Sequence, residues 1–193
     1  MFKVRIHGRG GQGAVTAAEL LSVAAFLEGR FSQAFPTFGS ERTGAPVVSF
    51  CRIADSPIRI HEPIAHPDAL IVQDPTLLHQ VKLFEGVGGD TFVLVNTSRS
   101  WEQLGIQDFA QSLRAERVVC VPATEIAREH LGRPLPNAAL LGGFAALTGI
   151  VSLASVEAAI RERFAGPVGE GNAGAARAAH DEVARRQGVL VHD

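Results

Sequence analysis

The sequence predicts an α/β fold, a mostly parallel sheet with helices packed on it and a helical C-terminal portion. Three observations predict it. Strand-like and helix-like segments alternate as far as Val121. A glycine-rich turn, Gly8 to Gly13, joins the first strand pattern to the first helix pattern. From Pro122 onward alanine-dense helical patterns take over.

The elements follow in order. Phe2 to His7 alternates as a strand, and Ala14 to Glu28 carries apolar residues at helical spacing (Val15, Ala18, Leu21, Ala25, Phe26) until Gly29 stops it. Arg30 to Phe35 reads as a second strand, and Pro36 to Ala45 as a polar loop. Pro46 to Ile53 and Ile58 to Ile60 read as extended, divided by the turn signal Asp55-Ser56-Pro57. Ala69 to Val72 is a short buried strand, and Asp74-Pro75 opens a helical turn through Leu78. Thr91 to Val95 and Arg117 to Val121 are rich in β-branched residues and read as strands, with a helix over Gln107 to Leu113 between them. Thr124–Leu131, Ala138–Leu147, Ser155–Phe164 and Gly174–Arg186 read as helices, Ser155 being a cap candidate, and Gly166 to Gly171 reads as a loop.

Length and composition set limits on function. A chain of 193 residues, 46% hydrophobic and 20% charged, suits one globular domain spanning 1–193. Eighteen Lys+Arg against twenty Asp+Glu leave a net charge of -2, which argues against a nucleic-acid binder. No apolar run reaches the roughly 18 to 20 residues needed to span a bilayer, and no signal-peptide pattern opens the chain, so the expectation is a cytoplasmic protein with no membrane partner. Cys51 and Cys120 are far apart in apolar runs and read as buried free thiols. Two thiolates are too few for a four-iron–four-sulfur cluster, which takes about four.

Gly8, Gly10 and Gly13 satisfy G-x-G-x-x-G between a strand and a helix, a context in which a phosphate can approach amides at a helix N-terminus. Glycines also serve such turns merely for close packing. A dinucleotide site would need a carboxylate at the end of the second strand to hold a ribose. Ser32-Gln33-Ala34-Phe35 has none, which weakens a freestanding NAD-dependent enzyme. The loop Phe35 to Val47 combines aromatics, hydroxyls, Glu41-Arg42 and two glycines, a mix suited to a ligand bearing both a ring and phosphates.

Together, His7-Gly8-Arg9-Gly10-Gly11-Gln12-Gly13-Ala14-Val15-Thr16-Ala17-Ala18-Glu19 and Gly39-Ser40-Glu41-Arg42-Thr43-Gly44-Ala45-Pro46-Val47, with Gln33-Ala34-Phe35-Pro36 between, closely resemble the gamma subunit of 2-oxoacid:acceptor oxidoreductases of the pyruvate:ferredoxin type. Pro67-Asp68, Asp74, Asn137 before Leu141-Gly142-Gly143, and Asn172 extend the resemblance over most of the chain. The resemblance implies a Rossmann-like three-layer domain. It also implies a place in a complex that oxidatively decarboxylates a 2-oxo acid to an acyl-CoA, with thiamine diphosphate, Mg and four-iron–four-sulfur clusters held by partner subunits. The isolated chain is then expected to be inactive.

Carried over by motif, Gly8, Arg9, Gly10, Gly11, Gln12 and Gly13 would form one wall of a coenzyme A site or face the partner active site. Ser40, Glu41, Arg42, Thr43 and Gly44 would form the facing loop, with Arg42 and Arg9 as charge partners and no catalytic or metal-binding residue. A purely structural assembly subunit is the alternative.

The remaining candidates are bland. Seven histidines show no zinc-hydrolase spacing, and His7 is expected to donate to a nearby carbonyl. Asp68, Asp74 and Glu62 read as strand-end and turn residues. Phe31, Phe35 and Phe38 are candidates for a subunit interface, as is Trp101.

Overall fold

The structure, a computed structural model, describes residues 1–37 and 43–192, with residues 189–192 by backbone alone. The sheet is built from β1 (Phe2–Arg9), β2 (Phe31–Pro36), β3 (Pro46–Ala54), β4 (Ala69–Val72), β5 (Phe92–Asn96) and β6 (Val118–Val121). Its order is β2-β3-β1-β4-β5-β6. β1, β4, β5 and β6 pair in parallel; β3 lies antiparallel between β1 and β2. The mostly parallel α/β fold read from the sequence is therefore the fold observed.

Burial on both faces explains the continuous apolar runs of the central strands. Ala69 and Ile71 of β4 face one side with Val4, Ile6, Leu94 and Val119. Against them pack α1 (Ala14–Leu27), α4 (Asn137–Thr148), α5 (Leu153–Arg163) and α6 (Gly166–His192). Leu70 and Val72 face the other side, with Val93, Val95 and Cys120. That side is covered by a thinner layer: Leu77 from the 3-10 turn Pro75–His79, Leu83, Leu104, and Leu113 just after the short α2 (Gln107–Gln111). The three layers are thus unequal.

Four local expectations need correction. Ile58–Ile60 is not a strand. The irregular chain there is fastened to the sheet by side chains instead: the Arg52 guanidinium donates to the Glu62 carbonyl, and Gln33 Nε2 lies 2.7 Å from His61 Nδ1. Arg5, buried on the same sheet face, donates to the carbonyls of Ile64, Ala65, Leu83 and Glu85 at 2.7 to 3.3 Å. Phe26 is 70% exposed, because the buried stripe of α1 runs through Leu20, Leu21, Ala24 and Ala25 and leaves it on the outer face. Ser152, not Ser155, caps α5, its Oγ accepting from Ser155 N–H at 3.1 Å.

Gly166–Gly171 is the first turn and a half of α6, not a loop. The glycines there serve close approach: a Cβ at Gly169 would overlap the Phe164 carbonyl and one at Gly171 would press on that of His130. Composition mimicked a loop where packing required small residues.

Candidate functional site

β1 ends by turning on its glycines. Gln12 N–H donates to the Arg9 carbonyl at 3.0 Å, and Arg9 N–H returns a bond to Gln12 Oε1 at 2.8 Å. Gly11, at φ +93, and Gly13, at φ +75, take left-handed conformations costly for other residues. Gly13 is the N-cap of α1 and supplies no side-chain cap, so the first amides of the helix have no intrahelical acceptor. They carry the partial positive charge of the helix start.

The second loop comes to this turn. Gly10 N–H donates to the Ala45 carbonyl at 2.9 Å, and Gly44 N–H donates to the Gly10 carbonyl at 3.0 Å, forming an isolated bridge between Gly10 and Thr43. Thr43 and Gly44 thus lie on the side of the molecule that holds Gly10 to Gly13. Phe38, Gly39, Ser40, Glu41 and Arg42 lie outside the described residues.

Arg9 is committed within the chain. Its Nε lies 3.1 Å from Asp74 Oδ2, one terminal nitrogen donates to the Gly44 carbonyl at 3.0 Å, and the other to Thr76 Oγ1 at 2.7 Å and Gln80 Oε1 at 2.8 Å. The guanidinium expected to meet a ligand's charge pairs with a carboxylate of its own chain. Asp74 Oδ2 also accepts from Gln12 Nε2 at 2.8 Å, and Oδ1 from Thr76 N–H and Oγ1 at 2.9 and 2.6 Å. Burial tends to raise the Asp74 pKa. The bonds from Thr76 and Gln12 and the charge of Arg9 outweigh it and hold the carboxyl below its usual range. Asp68 lies at the other end of β4, where Oδ2 accepts from Lys3 N–H at 2.8 Å, so the two carboxylates do not form a catalytic pair.

Three polar residues near the turn were not singled out as site residues. Gln73 is 1% exposed, with neither side-chain polar atom bonded among the described residues, and a Cβ at Gly8 would come within 2.6 Å of its Oε1. Asn137, at the start of α4, stands against Gly13. Asn96, ending β5, donates from Nδ2 to the Gln73 carbonyl and Thr124 Oγ1 at 2.7 and 2.8 Å, and accepts from Thr124 N–H at 3.0 Å. Thr124 lies in the first turn of α3 (Ala123–Leu131). The Asp-Pro step after β4 announces a helical turn; nothing local announces that Gln73 or Asn96 lies at this end of the sheet.

His7 differs from expectation. It has no carbonyl partner among the described residues, its Nε2 is buried and unbonded, and burial with nearby Arg5 lowers its pKa to about 4. It is a neutral imidazole near pH 7. Cys51 and Cys120 are free and buried, as expected, and burial pushes both thiols up to about 12. Among the described residues no group of three or more His, Cys, Asp or Glu could hold a metal, and no helix is long and apolar enough to cross a membrane. Trp101 is half-buried and lines a cleft of about 590 Å³ beyond β6, far along the sheet from the glycine turn.

The topology also separates this turn from a dinucleotide site. There the second strand lies beside the first and presents the ribose carboxylate; here β3 intervenes, and β2 is the sheet edge.

The family profile described as pyruvate ferredoxin/flavodoxin oxidoreductase matches residues 3–182. The chain belongs to this family. It is similar to the common gamma subunit of the pyruvate/ketoisovalerate oxidoreductases of Pyrococcus abyssi, at 48% identity over 95% of this chain and 97% of the relative. It is similar also to the pyruvate synthase subunit PorC of Methanocaldococcus jannaschii, at 47% over 97% of this chain and 100% of the relative. Its fold matches the crystal structure of the pyruvate oxidoreductase subunit PORC of Thermotoga maritima, with TM-score 0.78 and 36% identity over 93% of this chain and 95% of that one. A 2-oxoglutarate:ferredoxin oxidoreductase from Magnetococcus marinus, solved with 2-oxoglutarate, coenzyme A and succinyl-CoA bound, shares the fold at TM-score 0.73 and 16% identity. This chain covers 31% of that one. Within its family the chain is of the gamma, or PorC, type, an oxidoreductase subunit.

Proposed function

We propose that residues 1–193 act as one cytoplasmic gamma-type unit of a complex that converts a 2-oxo acid and coenzyme A to an acyl-CoA and carbon dioxide, two electrons passing to ferredoxin or another acceptor. Thiamine diphosphate, Mg and four-iron–four-sulfur clusters belong to partner subunits in this reading. Two buried thiols fit no such cluster. This chain's share is to help bind coenzyme A, whose thiol receives the acyl group, and to hold the complex together.

The observation that carries the reading is the bridge between Gly10 and Thr43, which joins the glycine turn to the second loop at the carboxyl end of β1. The amides of Ala14, Val15 and Thr16 suit a phosphate chemically, lying in the first turn of a helix with no side-chain cap. Ser40, Glu41 and Arg42 belong to the same loop in sequence, and Arg42 would supply a cationic charge there beside Arg9. The edge strand β2 suits assembly: Phe31 is 47% exposed, and Phe26 and Leu27 of α1 are exposed as well. Phe35 instead packs against Phe50 as a tilted pair with ring centroids 5.2 Å apart.

Titration of the assembled complex with coenzyme A tests this. Arg42→Ala is expected to weaken binding and flatten its salt dependence; unchanged affinity at several salt concentrations removes Arg42 from the site. The purified chain alone, given 2-oxo acid, coenzyme A and an acceptor dye, is expected to show no turnover. The internal pairing of Arg9 favours one rival, a purely structural subunit. Absence of coenzyme A protection at Gly10–Thr16 and Thr43–Ala45 in hydrogen exchange would select that rival.

A further inference from the structure

A single carboxylate joins both loops of the site. We propose that Asp74 is a positioning residue that holds the glycine turn and the second loop at a fixed separation, and that coenzyme A affinity depends on it. The proposal rests on the reading of the two loops as a coenzyme A site.

Asp74 ends the short connection after β4, the strand beside β1, so it is anchored by the sheet rather than by either loop. Through Oδ2 it reaches the glycine turn at Gln12 Nε2, 2.8 Å away, and Arg9 Nε, 3.1 Å away. The other end of Arg9 holds the Gly44 carbonyl at 3.0 Å. One oxygen therefore fixes the turn directly and the second loop through one intervening side chain. Oδ1 is occupied by Thr76, so the carboxylate cannot rotate without losing the 3-10 turn it caps.

The placement suits a spacer. Thr43 and Gly44 are exposed, and among the described residues two backbone hydrogen bonds, from Gly44 N–H to the Gly10 carbonyl and from Gly10 N–H to the Ala45 carbonyl, hold this stretch to the turn. Isolated bridges of that kind open readily. A charge-assisted bond from Arg9 adds a third attachment from a different direction. Displacing one wall of a ligand site by about 1 Å is enough to change function by orders of magnitude. Asp74 touches no ligand in this arrangement and acts through Arg9 and Gln12.

The test uses the assembled complex carrying Asp74→Ala or, should that variant assemble poorly, Asp74→Asn, which keeps the volume and loses the charge. Two readouts are taken together: hydrogen exchange of the Gly10 and Gly44 amides, and the KM for coenzyme A against that for the 2-oxo acid. Both amides are expected to exchange on the order of tenfold faster. The KM for coenzyme A is expected to rise on the order of tenfold while that for the 2-oxo acid holds. Gln12→Leu, which cuts the turn's tether and the bond from Arg9 N–H but spares the link from Arg9 to Gly44, is expected to release Gly10 more than Gly44. Amides that stay protected in the Asp74 variants overturn the proposal, whatever the KM does. Amides released with the KM for coenzyme A unchanged leave the tether standing but overturn its role in binding, and with it the placement of coenzyme A at these loops.

Discussion

Asn137 stands against the α-carbon of Gly13, so that a Cβ built on Gly13 would come within 2.7 Å of its Nδ2. The start of α4 therefore closes over the start of α1, and the turn between β1 and α1 is held from above as well as from behind. Two separate costs meet at residue 13: the left-handed backbone, at φ +75, and the space that Asn137 occupies.

These costs can be measured apart. Gly13→Ala is expected to destabilise the chain by about 1–3 kcal/mol, read as a shift in the urea midpoint. In an Asn137→Ala background the same substitution should cost about 1 kcal/mol less, because only the backbone strain remains. Equal costs in the two backgrounds would show that Asn137 moves freely.

His7 gives a pH signature. Its pKa falls from about 6.5 unfolded to about 4 folded, so between those values the unfolded chain binds more protons. Its contribution to stability is complete above about pH 6.5 and is lost as pH falls toward 4, a change of about 3 kcal/mol. Asp74 acts in a lower window: its folded pKa is depressed, so its contribution is complete above the ordinary carboxylate value of about 3.9 and goes only as pH drops through the folded one. Urea denaturation between pH 4.5 and 7.5 should therefore show a shallower pH slope in His7→Met than in the parent chain. Parallel slopes would mean that the imidazole finds a partner when protonated.

Arg5 carries a purely structural prediction. Burial lowers its pKa, yet a guanidinium stays charged, and here it is matched by four backbone carbonyls from two irregular segments. Arg5→Met should cost at least about 3 kcal/mol in thermal or urea unfolding. Arg5→Lys should recover only part of it, since a point-like ammonium cannot span the carbonyls as a planar fork does. Full recovery by lysine would reduce the role to charge alone.

Much of this was legible residue by residue. The run Ala69-Leu70-Ile71-Val72 declared a short buried strand, and Asp74-Pro75 declared the opening of a helical turn. Both signals are local, and local chemistry suffices to read them. The glycine turn was legible for the same reason, since Gly11 and Gly13 sit where the backbone needs positive φ. Gly166 to Gly171 misled because a helix packed tightly on its neighbours and a flexible loop can share one composition. Only the identity of the packing partner distinguishes them.

The chain's own residues determined the element order, the α/β class, the absence of enough thiolates for a cluster, and the two motifs that carry the family resemblance. Tertiary structure decided the order of strands in the sheet, which sets β3 beside β1 and moves β2 to the edge. It also decided that Arg9 is spent on Asp74 and Gly44 rather than left free. The physical reason is range. Propensity and capping act over a few neighbouring residues. The partner of a charge 65 positions away is chosen only when the sheet brings the ends of β1 and β4 side by side.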